Sequence, residues 1–213
     1  MNINIAMDEH VFVCGGTGCG KTFLCEVYLA NVPSMVIKLD SKLEVFERQK
    51  KNKPIWQGLN DDDIDIIEHL EDLPNTTKER IIYAPVEEEM TKDYYNALAQ
   101  WVYDKTNCIL WIDELMSVCD NAFDLPLNFK RLLTRGRFIN SVVWACTQRP
   151  SQIPALFMAS SQHFFVFYLN LPQDRKKMSD VTGTEMYEIL PKQQFYYTYL
   201  GSNTAIKTRL VYT

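Results

Sequence analysis

The fold is decided by residues 11–29, which read VFVCGGTGCGKTFLCEVYL. Residues 11–14 form a short apolar run that predicts a buried strand, and residues 21–31 place apolar side chains at helical spacing. Between them, residues 15–22 fit the pattern Gly-x-x-x-x-Gly-Lys-Ser/Thr. A strand, a glycine-rich turn and a helix in this order predict a phosphate-binding loop at the end of a central strand.

The predicted loop offers several kinds of phosphate contact. Its glycines allow backbone N–H groups to turn inward onto phosphate oxygens. Lys21 places a positive charge between the outer phosphates, the Thr22 hydroxyl is a ligand for Mg²⁺, and the helix N-terminus adds its dipole. The predicted nucleotide-binding residues are Gly15, Gly16, Thr17, Gly18, Cys19, Gly20, Lys21 and Thr22. The alternative is a glycine-rich strand-to-helix turn with a solvated lysine; the full pattern, placed where phosphate binding requires it, favours the phosphate-binding loop.

A second motif, CILWIDE at residues 108–114, ends an apolar strand in two adjacent carboxylates. Ligands of α/β sheets bind at the carboxyl ends of the strands, so we expect this pair beside the phosphate loop. Asp113 is predicted to hold the Mg²⁺ shell, and Glu114 to activate the attacking water as general base. An apolar run ending in Asp-Glu is a weak indicator alone. Together with the loop it favours a hydrolase over a nucleotide kinase.

A third motif, VVWACTQRP at residues 142–150, is another apolar strand that ends in polar residues. If this strand lies beside the Asp113 strand, Gln148 reaches the γ-phosphate and can report its hydrolysis. The alternative is a strand end with an ordinary Gln-Arg turn, which this fragment alone would favour.

Strands and helices alternate through the first two-thirds of the chain. The predicted strands are 11–14, 35–39, 80–83, 109–112, 141–146, 163–168, 195–200 and 205–211, and the predicted helices are 21–31, 41–51, 92–105, 129–134, 175–181 and 185–190. The internal strands are continuous apolar runs, typical of a parallel sheet buried on both faces. The last two strands, joined by Gly201-Ser202-Asn203, predict an antiparallel hairpin. Residues 52–75 are the least regular stretch, with an acidic run at 61–63 and a short amphipathic segment after it.

Length and composition limit the class of protein. The chain has 213 residues, 46% of them hydrophobic, which predicts one domain over residues 1–213, with a core at about 9–170 and a helical pair and hairpin at about 171–213. A formal net charge of −5 argues against a globally basic nucleic-acid coat protein. The six cysteines lack CxxC spacing, so we expect buried thiols in a reducing compartment rather than zinc. We see no secretory leader or bilayer-length apolar run, and expect a cytosolic protein or one bound peripherally to a membrane.

Taken together, the motifs resemble those of the FtsK–HerA superfamily of DNA-pumping ATPases. The resemblance rests on the phosphate loop, the tandem carboxylates, and Thr-Arg-Gly-Arg at 134–137 followed by a strand ending Thr-Gln-Arg-Pro at 147–150. The short chain and Tyr83-Ala84-Pro85 before a long helix narrow it to the genome-packaging ATPases of tailless icosahedral viruses with an internal membrane, the tectivirus-like and archaeal turreted viruses. The resemblance covers roughly residues 9–200.

This resemblance implies a RecA-like core of the ASCE division of P-loop NTPases, with a mostly parallel central sheet flanked by helices. It implies ATP and Mg²⁺ as ligands, and a homo-oligomeric ring, usually a hexamer, that threads double-stranded DNA through its centre. The expected function is to drive viral DNA into a preformed capsid, in the host cytoplasm and the virion. Capsid vertex proteins and peripheral contact with an internal viral membrane are the expected further partners. We recognise no membrane anchor, winged-helix domain or N-terminal barrel, which we expect to disfavour chromosome segregation and conjugation.

A ring also implies an arginine that completes the neighbouring subunit's site. Three arginines precede the Gln148 strand: Arg131, Arg135 and Arg137. Arg131 and Arg135 are one helical turn apart and share a face. The resemblance favours Arg135 or Arg137 over Arg131 as the arginine finger, and Arg149 is a further candidate. The alternative is a solvated basic face, or an acidic partner in the same chain.

DNA contact is predicted from local basic clusters. Lys50, Lys51 and Lys53 follow the second helix in the irregular stretch, where they can face a pore. Residues 175–177, Arg-Lys-Lys, are a second cluster. The alternative for both is an ordinary solvated face.

Three other functions compete with DNA packaging. Another translocase of the same superfamily would serve plasmid transfer or segregation. A nucleotide-dependent assembly switch would bind ATP without translocating anything, although Glu114 argues against a pure binder. A small-molecule kinase would transfer phosphate to an acceptor without forming a ring.

Overall fold

The computed structural model describes residues 3–184, 187–200, 202 and 205–210. Nine strands form one sheet: β1 His10–Cys14, β2 Met35–Leu39, β3 Ile64–Ile67, β4 Arg80–Tyr83, β5 Cys108–Ile112, β6 Val142–Thr147, β7 Ser161–Val166, β8 Gln194–Tyr199 and β9 Ala205–Arg209. The α-helices are α1 Lys21–Leu29, α2 Glu44–Lys50, α3 Lys92–Lys105, α4 Leu127–Arg135, α5 Ala155–Ser160 and α6 Pro172–Thr182. Short 3-10 helices cover Asp61–Asp63, Leu70–Asn75, Glu87–Glu89, Leu115–Ser117, Gly136–Ile139 and Pro150–Gln152.

The strand order is β3-β4-β2-β5-β6-β1-β7-β8-β9. The first seven strands in this order run parallel, and β8 and β9 are antiparallel at one side of the sheet. The predicted fold class, a mostly parallel α/β sheet with a C-terminal antiparallel hairpin, is confirmed. Strand β6 lies between β1 and β5, so the end of β6 is next to both the phosphate loop and the tandem carboxylates.

Helices cover both faces of the sheet. Helices α3, α4 and α5 contribute apolar residues such as Leu98, Leu132 and Phe157 to one core cluster. Helix α1 packs Leu24 and Leu29 into a second cluster on the other face. Because both faces are covered, every residue of β1 and β5 is buried, which explains why these strands read as continuous apolar runs.

Several predicted elements differ from the structure. The stretch predicted as irregular contains the strand β3, whose hydrogen bonds to β4 bring it into the sheet. Helix α5 was not predicted. Of the predicted helix 185–190, residues 187–190 have no regular secondary structure, and 185 and 186 lie outside the described residues. Tyr187 and Leu190 are buried, so their helix-like spacing reflects packing against the core. Of the predicted hairpin turn, residues 201 and 203 lie outside the described part of the chain.

Helix α2 begins at Glu44 rather than at the predicted Ser41. Leu43 has a φ of 55°, in the left-handed region, which ends the helix on its N-terminal side. This leaves Ser41 and Lys42 in a tight turn at the end of β2. In the described part of the chain, no helix combines the length and apolar character needed to cross a bilayer.

Candidate nucleotide-binding site

The phosphate loop joins the end of β1 to the start of α1 and needs glycine at two positions. Gly20 has a φ of 108°, and a side chain there would collide with Leu210. At Gly15 an added Cβ would lie 2.5 Å from the Cβ of Phe167. The loop is therefore held against the neighbouring strand and the C-terminal segment, with its backbone exposed at the carboxyl edge of the sheet.

Lys21 and Thr22 follow the loop in the first turn of α1. The Lys21 ammonium lies inside the loop, 2.7 Å from the Gly15 carbonyl oxygen and 3.2 Å from that of Gly16. The Thr22 hydroxyl donates to Asp113 Oδ1 at 3.0 Å, across from the end of β5. The two residues predicted as metal ligands are therefore brought together.

Their chemistry fits Mg²⁺. A hydroxyl and a carboxylate are hard oxygen donors, and Mg²⁺ typically takes one or two protein ligands and completes its shell with phosphate and water oxygens. Among the residues that the structure describes, no group of three His, Cys, Asp or Glu side chains suited to a metal is found.

Gln148 connects the loop to Glu114. Its Oε1 accepts from the Thr17 hydroxyl at 2.8 Å, and its Nε2 donates to Glu114 Oε2 at 2.9 Å. Register explains this position: Cys14 of β1 pairs with Thr147 of β6, so the next residue on each strand enters the same edge. The structure thus places the amide between the phosphate loop and the predicted general base.

The sequence reasoning missed Lys42. Its ammonium lies 3.2 Å from Glu114 Oε2, the oxygen that Gln148 also contacts. Lys42 follows the carboxyl end of β2, which pairs with β5 directly. The rule that polar residues at strand ends meet at one edge, applied here to β5 and β6, would have found it at β2 as well.

A cavity of about 420 Å³ opens above these residues. Its lining includes Thr17, Gly18, Cys19, Gly20, Lys21, Thr22, Phe23, Lys42, Glu44, Asp113 and Gln148. Two lysines and two carboxylates share this lining with the glycine loop, so the cavity presents cationic, hydroxyl and backbone donors to an anionic ligand together with oxygens for a cation.

The three candidate arginines have different surroundings. Arg131 donates to Gln100 Oε1 at 3.1 Å, and its guanidinium carbon lies 3.9 Å from the centre of the Tyr103 ring. Arg137 donates to the Asp8 carbonyl oxygen at 2.7 Å. Arg135 is exposed and makes no hydrogen bond or ion pair with the described residues.

None of the three arginines lines the nucleotide cavity of its own chain. Helix α4 runs from the carboxyl edge of the sheet toward the amino edge. The Ile139 carbonyl, just after α4, accepts from the Asn107 N–H, which directly precedes β5 and so lies at the amino edge. Six residues of β6 at roughly 3.3 Å each separate the two edges by about 20 Å. Arg149 is near the site, and it pairs at 2.9 Å with Asp174, a buried residue of α6.

The lysines predicted to contact DNA are exposed at the end of α2. Lys50 and Lys51 pair with Glu47 at 3.0 and 3.5 Å, and Lys53 makes no ion pair among the described residues. Lys53 lines a neighbouring cavity that shares Phe23 and Glu44 with the nucleotide cavity. The cysteines are buried free thiols, and burial raises the pKa of Cys19, in the loop.

No protein-family model matches the sequence, and no curated protein matches it by sequence. Solved structures do match the fold. The genome packaging NTPase B204 from Sulfolobus turreted icosahedral virus 2, in complex with ATP-gammaS, is similar with a TM-score of 0.74 and 15% identity, over 98% of this chain and 100% of that one.

Two larger proteins contain a similar fold. The pCW3 conjugation coupling protein TcpA has a TM-score of 0.60 at 15% identity, over 98% of this chain and 62% of that one. EccC (ATPases 2 and 3) of Thermomonospora curvata has a TM-score of 0.61 at 15% identity, over 99% of this chain and 38% of that one. The resemblance drawn from the motifs is thus confirmed as a fold shared with a genome packaging NTPase, a conjugation coupling protein and EccC.

Proposed function

We propose that the protein is a Mg²⁺-dependent ATPase that works in a homo-oligomeric ring and drives double-stranded viral DNA into a preformed capsid. The observation that carries the ATPase assignment is the hydrogen-bonded series Thr17–Gln148–Glu114 beside the Thr22–Asp113 pair. A nucleotide-binding protein without hydrolysis has no need for a general base held against a γ-phosphate reporter. The fold shared with a genome packaging NTPase supports the DNA-packaging assignment.

In the proposed reaction, water attacks the γ-phosphorus, the bond from that phosphorus to the β–γ bridging oxygen breaks, and ADP leaves. Glu114 accepts the proton of the attacking water. Lys21 turns from the loop carbonyls to the phosphate oxygens, which are stronger acceptors. Thr22 and Asp113 hold Mg²⁺, which when bound neutralises charge on the phosphates.

Gln148 reports the state of the nucleotide. It bonds to Thr17 on the loop and to Glu114 on the β5 side. Loss of the γ-phosphate changes what these two neighbours contact, and the amide passes that change to β6. The Arg149–Asp174 pair then connects the end of β6 to α6.

Arg135 is the proposed arginine finger. It is exposed and unpaired among the described residues, while Arg131 is stacked and Arg137 is hydrogen-bonded. Because α4 carries it to the edge opposite its own cavity, it can reach a nucleotide only on a neighbouring subunit. A guanidinium there stabilises charge on the transferring phosphoryl group.

The proposed partners are double-stranded DNA, further copies of this chain in a ring of six, and proteins of the capsid vertex. The proposed locations are the host cytoplasm and the virion, with peripheral contact to an internal viral membrane. Lys53, Lys51 and Lys50 are the proposed DNA contacts, with Lys53 first because Glu47 partly neutralises the other two.

The test measures ATP turnover with and without linear double-stranded DNA while light scattering reports the mass of the assembly. Glu114→Gln removes the base, and Glu68→Gln makes the same change at an exposed carboxylate directly after the edge strand β3. We expect DNA-stimulated turnover in an oligomer, abolished only by Glu114→Gln.

Other outcomes assign other functions. DNA-independent turnover by an oligomer favours an ATP-dependent assembly switch. DNA-stimulated turnover that empty capsids do not increase favours a translocase for plasmid transfer or segregation. Phosphate transfer to an added acceptor by a monomer indicates a kinase.

A further inference from the structure

The two oxygens of Glu114 have different surroundings. Oε2 lies 2.9 Å from Gln148 Nε2 and 3.2 Å from Lys42 Nζ. Oε1 is buried and has no hydrogen-bond partner among the described residues. Two donors on one oxygen fix the rotation of the carboxylate.

The Lys42 turn is fastened at several points. The Leu43 N–H donates to the Asp40 carbonyl at 3.1 Å and closes the turn. The Asp40 carboxylate accepts from the Val45 N–H at 2.8 Å, at the start of α2. Leu43 in the left-handed region completes a conformation that is unusual for a leucine and that the surrounding contacts must hold.

The same turn is tied to the segment that follows Glu114. The Ser41 hydroxyl donates to the Ser117 hydroxyl at 2.8 Å, and Ser117 donates to the Glu114 carbonyl at 2.6 Å. Lys42 and Glu114 are therefore positioned by one connected set of hydrogen bonds rather than by two independent loops. An ammonium held in this way donates at a defined point, unlike a free surface lysine.

We infer that Lys42 is a positioning residue for hydrolysis: with Gln148 it holds Glu114 Oε2 and so fixes the orientation of the carboxylate that accepts the proton of the attacking water. This inference rests on the proposed role of Glu114 as general base. Lys21 contacts the loop carbonyls and Lys42 contacts the base, so the two lysines of the cavity have separate tasks.

The test is a comparison of Lys42→Met, Lys42→Arg and Lys78→Met. Lys78 is an exposed lysine at the junction before β4, and its side chain makes no hydrogen bond or ion pair among the described residues. Two quantities are measured for each: the rate of ATP cleavage in a single turnover with enzyme in excess, and the affinity for ATP-gammaS. Because the Lys42 side chain is 43% exposed, its removal leaves no buried cavity, and the melting temperature serves as the folding control.

Loss of orientation at the base is expected to slow the cleavage rate of Lys42→Met about tenfold while affinity changes less than about twofold. Lys42→Arg, which retains a cationic donor, is expected to recover most of the rate, and Lys78→Met to match the wild type. A normal rate in Lys42→Met overturns the inference. So does weakened affinity with a normal rate at saturation, which would make Lys42 a phosphate ligand, and so does an equally slow Lys42→Arg.

Failure of the proposed function looks different. If Glu114→Gln retains turnover, the general-base assignment itself is wrong. If Glu114→Gln is inactive and Lys42→Met is normal, only the role given to Lys42 falls.

Discussion

Two sets of polar side chains, one at each edge of the sheet, have different kinds of partner. At the amino edge, Arg80, His10 and Ser141 bond to main-chain atoms of their own chain. At the carboxyl edge, Glu114, Gln148 and their neighbours bond to one another's side chains. A main-chain partner is fixed by the fold, whereas a side-chain partner can exchange when a ligand arrives. The amino edge is therefore expected to govern stability and the carboxyl edge turnover.

The largest effect is expected at Lys21. Lys21→Met removes the charge that meets the phosphates, so we expect kcat/KM for ATP to fall about 10³-fold or more, ~4 kcal/mol in transition-state stabilisation. The thermal midpoint should change little, since the ammonium contacts only two loop carbonyls. Steady-state kinetics and thermal unfolding are compared with those of Lys78→Met. A large loss of stability in Lys21→Met would contradict the expectation that the carboxyl edge governs turnover rather than stability.

Arg80 provides the reverse case. Its guanidinium donates to the carbonyls of Leu29, Ala30, Val32, Ser34 and Glu79. Two of these are at the C-terminal end of α1 and two are in the connection from α1 to β2, so Arg80→Met leaves several carbonyls without their donor. We expect the free energy of unfolding to fall by about 3 kcal/mol.

Chemical denaturation measures this loss, and Arg209→Met, at an exposed arginine of β9, is the matched control. ATP turnover at a temperature where both variants are folded should stay within about twofold of the wild type. Loss of turnover in Arg80→Met without loss of stability would contradict the expectation that the amino edge governs stability and not turnover.

The third effect is a pH dependence of stability at His10. Burial, with a contribution from the charge of Arg137, lowers the pKa of His10 to about 4. The unfolded chain takes up this proton below about pH 6.5, and the folded chain only near pH 4, so stability is complete above pH 6.5 and is lost as the pH falls. At pH 5 the expected loss is about 2 kcal/mol.

His10→Asn isolates this contribution, because an amide oxygen can accept from the Val143 N–H as Nδ1 does at 2.9 Å and cannot be protonated in this range. Between pH 7 and pH 5, the wild type should lose about 2 kcal/mol more of its free energy of unfolding than His10→Asn loses. Carboxyl groups that titrate in both proteins cancel in this comparison. If both proteins lost the same free energy of unfolding, His10 would not be held neutral by its burial.

The sequence predicted the parts of the fold that carry strong local patterns. The strands β1, β2, β4, β5 and β6 are apolar runs with clear ends. Strand β3 was missed because Ile64–Ile67 is short, follows an acidic run and becomes a strand only by pairing with β4. The helix predicted at 185–190 was wrong at 187–190 for the opposite reason. The three-residue spacing of Tyr187 and Leu190 fits a helix, but it also fits an irregular segment packed on the core.

The same division applies to the site. Asp113, Glu114 and Gln148 were predicted because each ends an apolar strand, and parallel strands bring such residues together. The same rule applied to β2 would have placed Lys42 at this edge. Its contact with Glu114 further depends on a left-handed Leu43 and on the Ser41–Ser117 contact, which a single-sequence pattern does not show. The arginines could not be ranked fully either, since what distinguishes Arg131 is an aromatic ring 28 residues earlier in the chain, at Tyr103.

The smallest effect concerns the lysines at the end of α2 and asks whether the carboxyl edge also contacts DNA. Each phosphate contact adds roughly 0.9 to the slope of log affinity against log salt, or about 1 kcal/mol at 0.1 M salt. Lys53→Gln should lower this slope by nearly that amount. Lys50→Gln should lower it less, because Glu47 pairs with Lys50 at 3.0 Å. Binding to linear double-stranded DNA by fluorescence anisotropy across salt concentrations gives the slopes, with Lys78→Gln as control.

If all slopes coincide, this end of α2 is only a solvated face, and the DNA path lies elsewhere on the ring. If Lys53 alone lowers the slope, nucleotide and DNA share one edge, because Lys53 lines a cavity next to that of the phosphate loop. Hydrolysis would then act on DNA contacts over a short distance, through the rearranging side chains of the carboxyl edge.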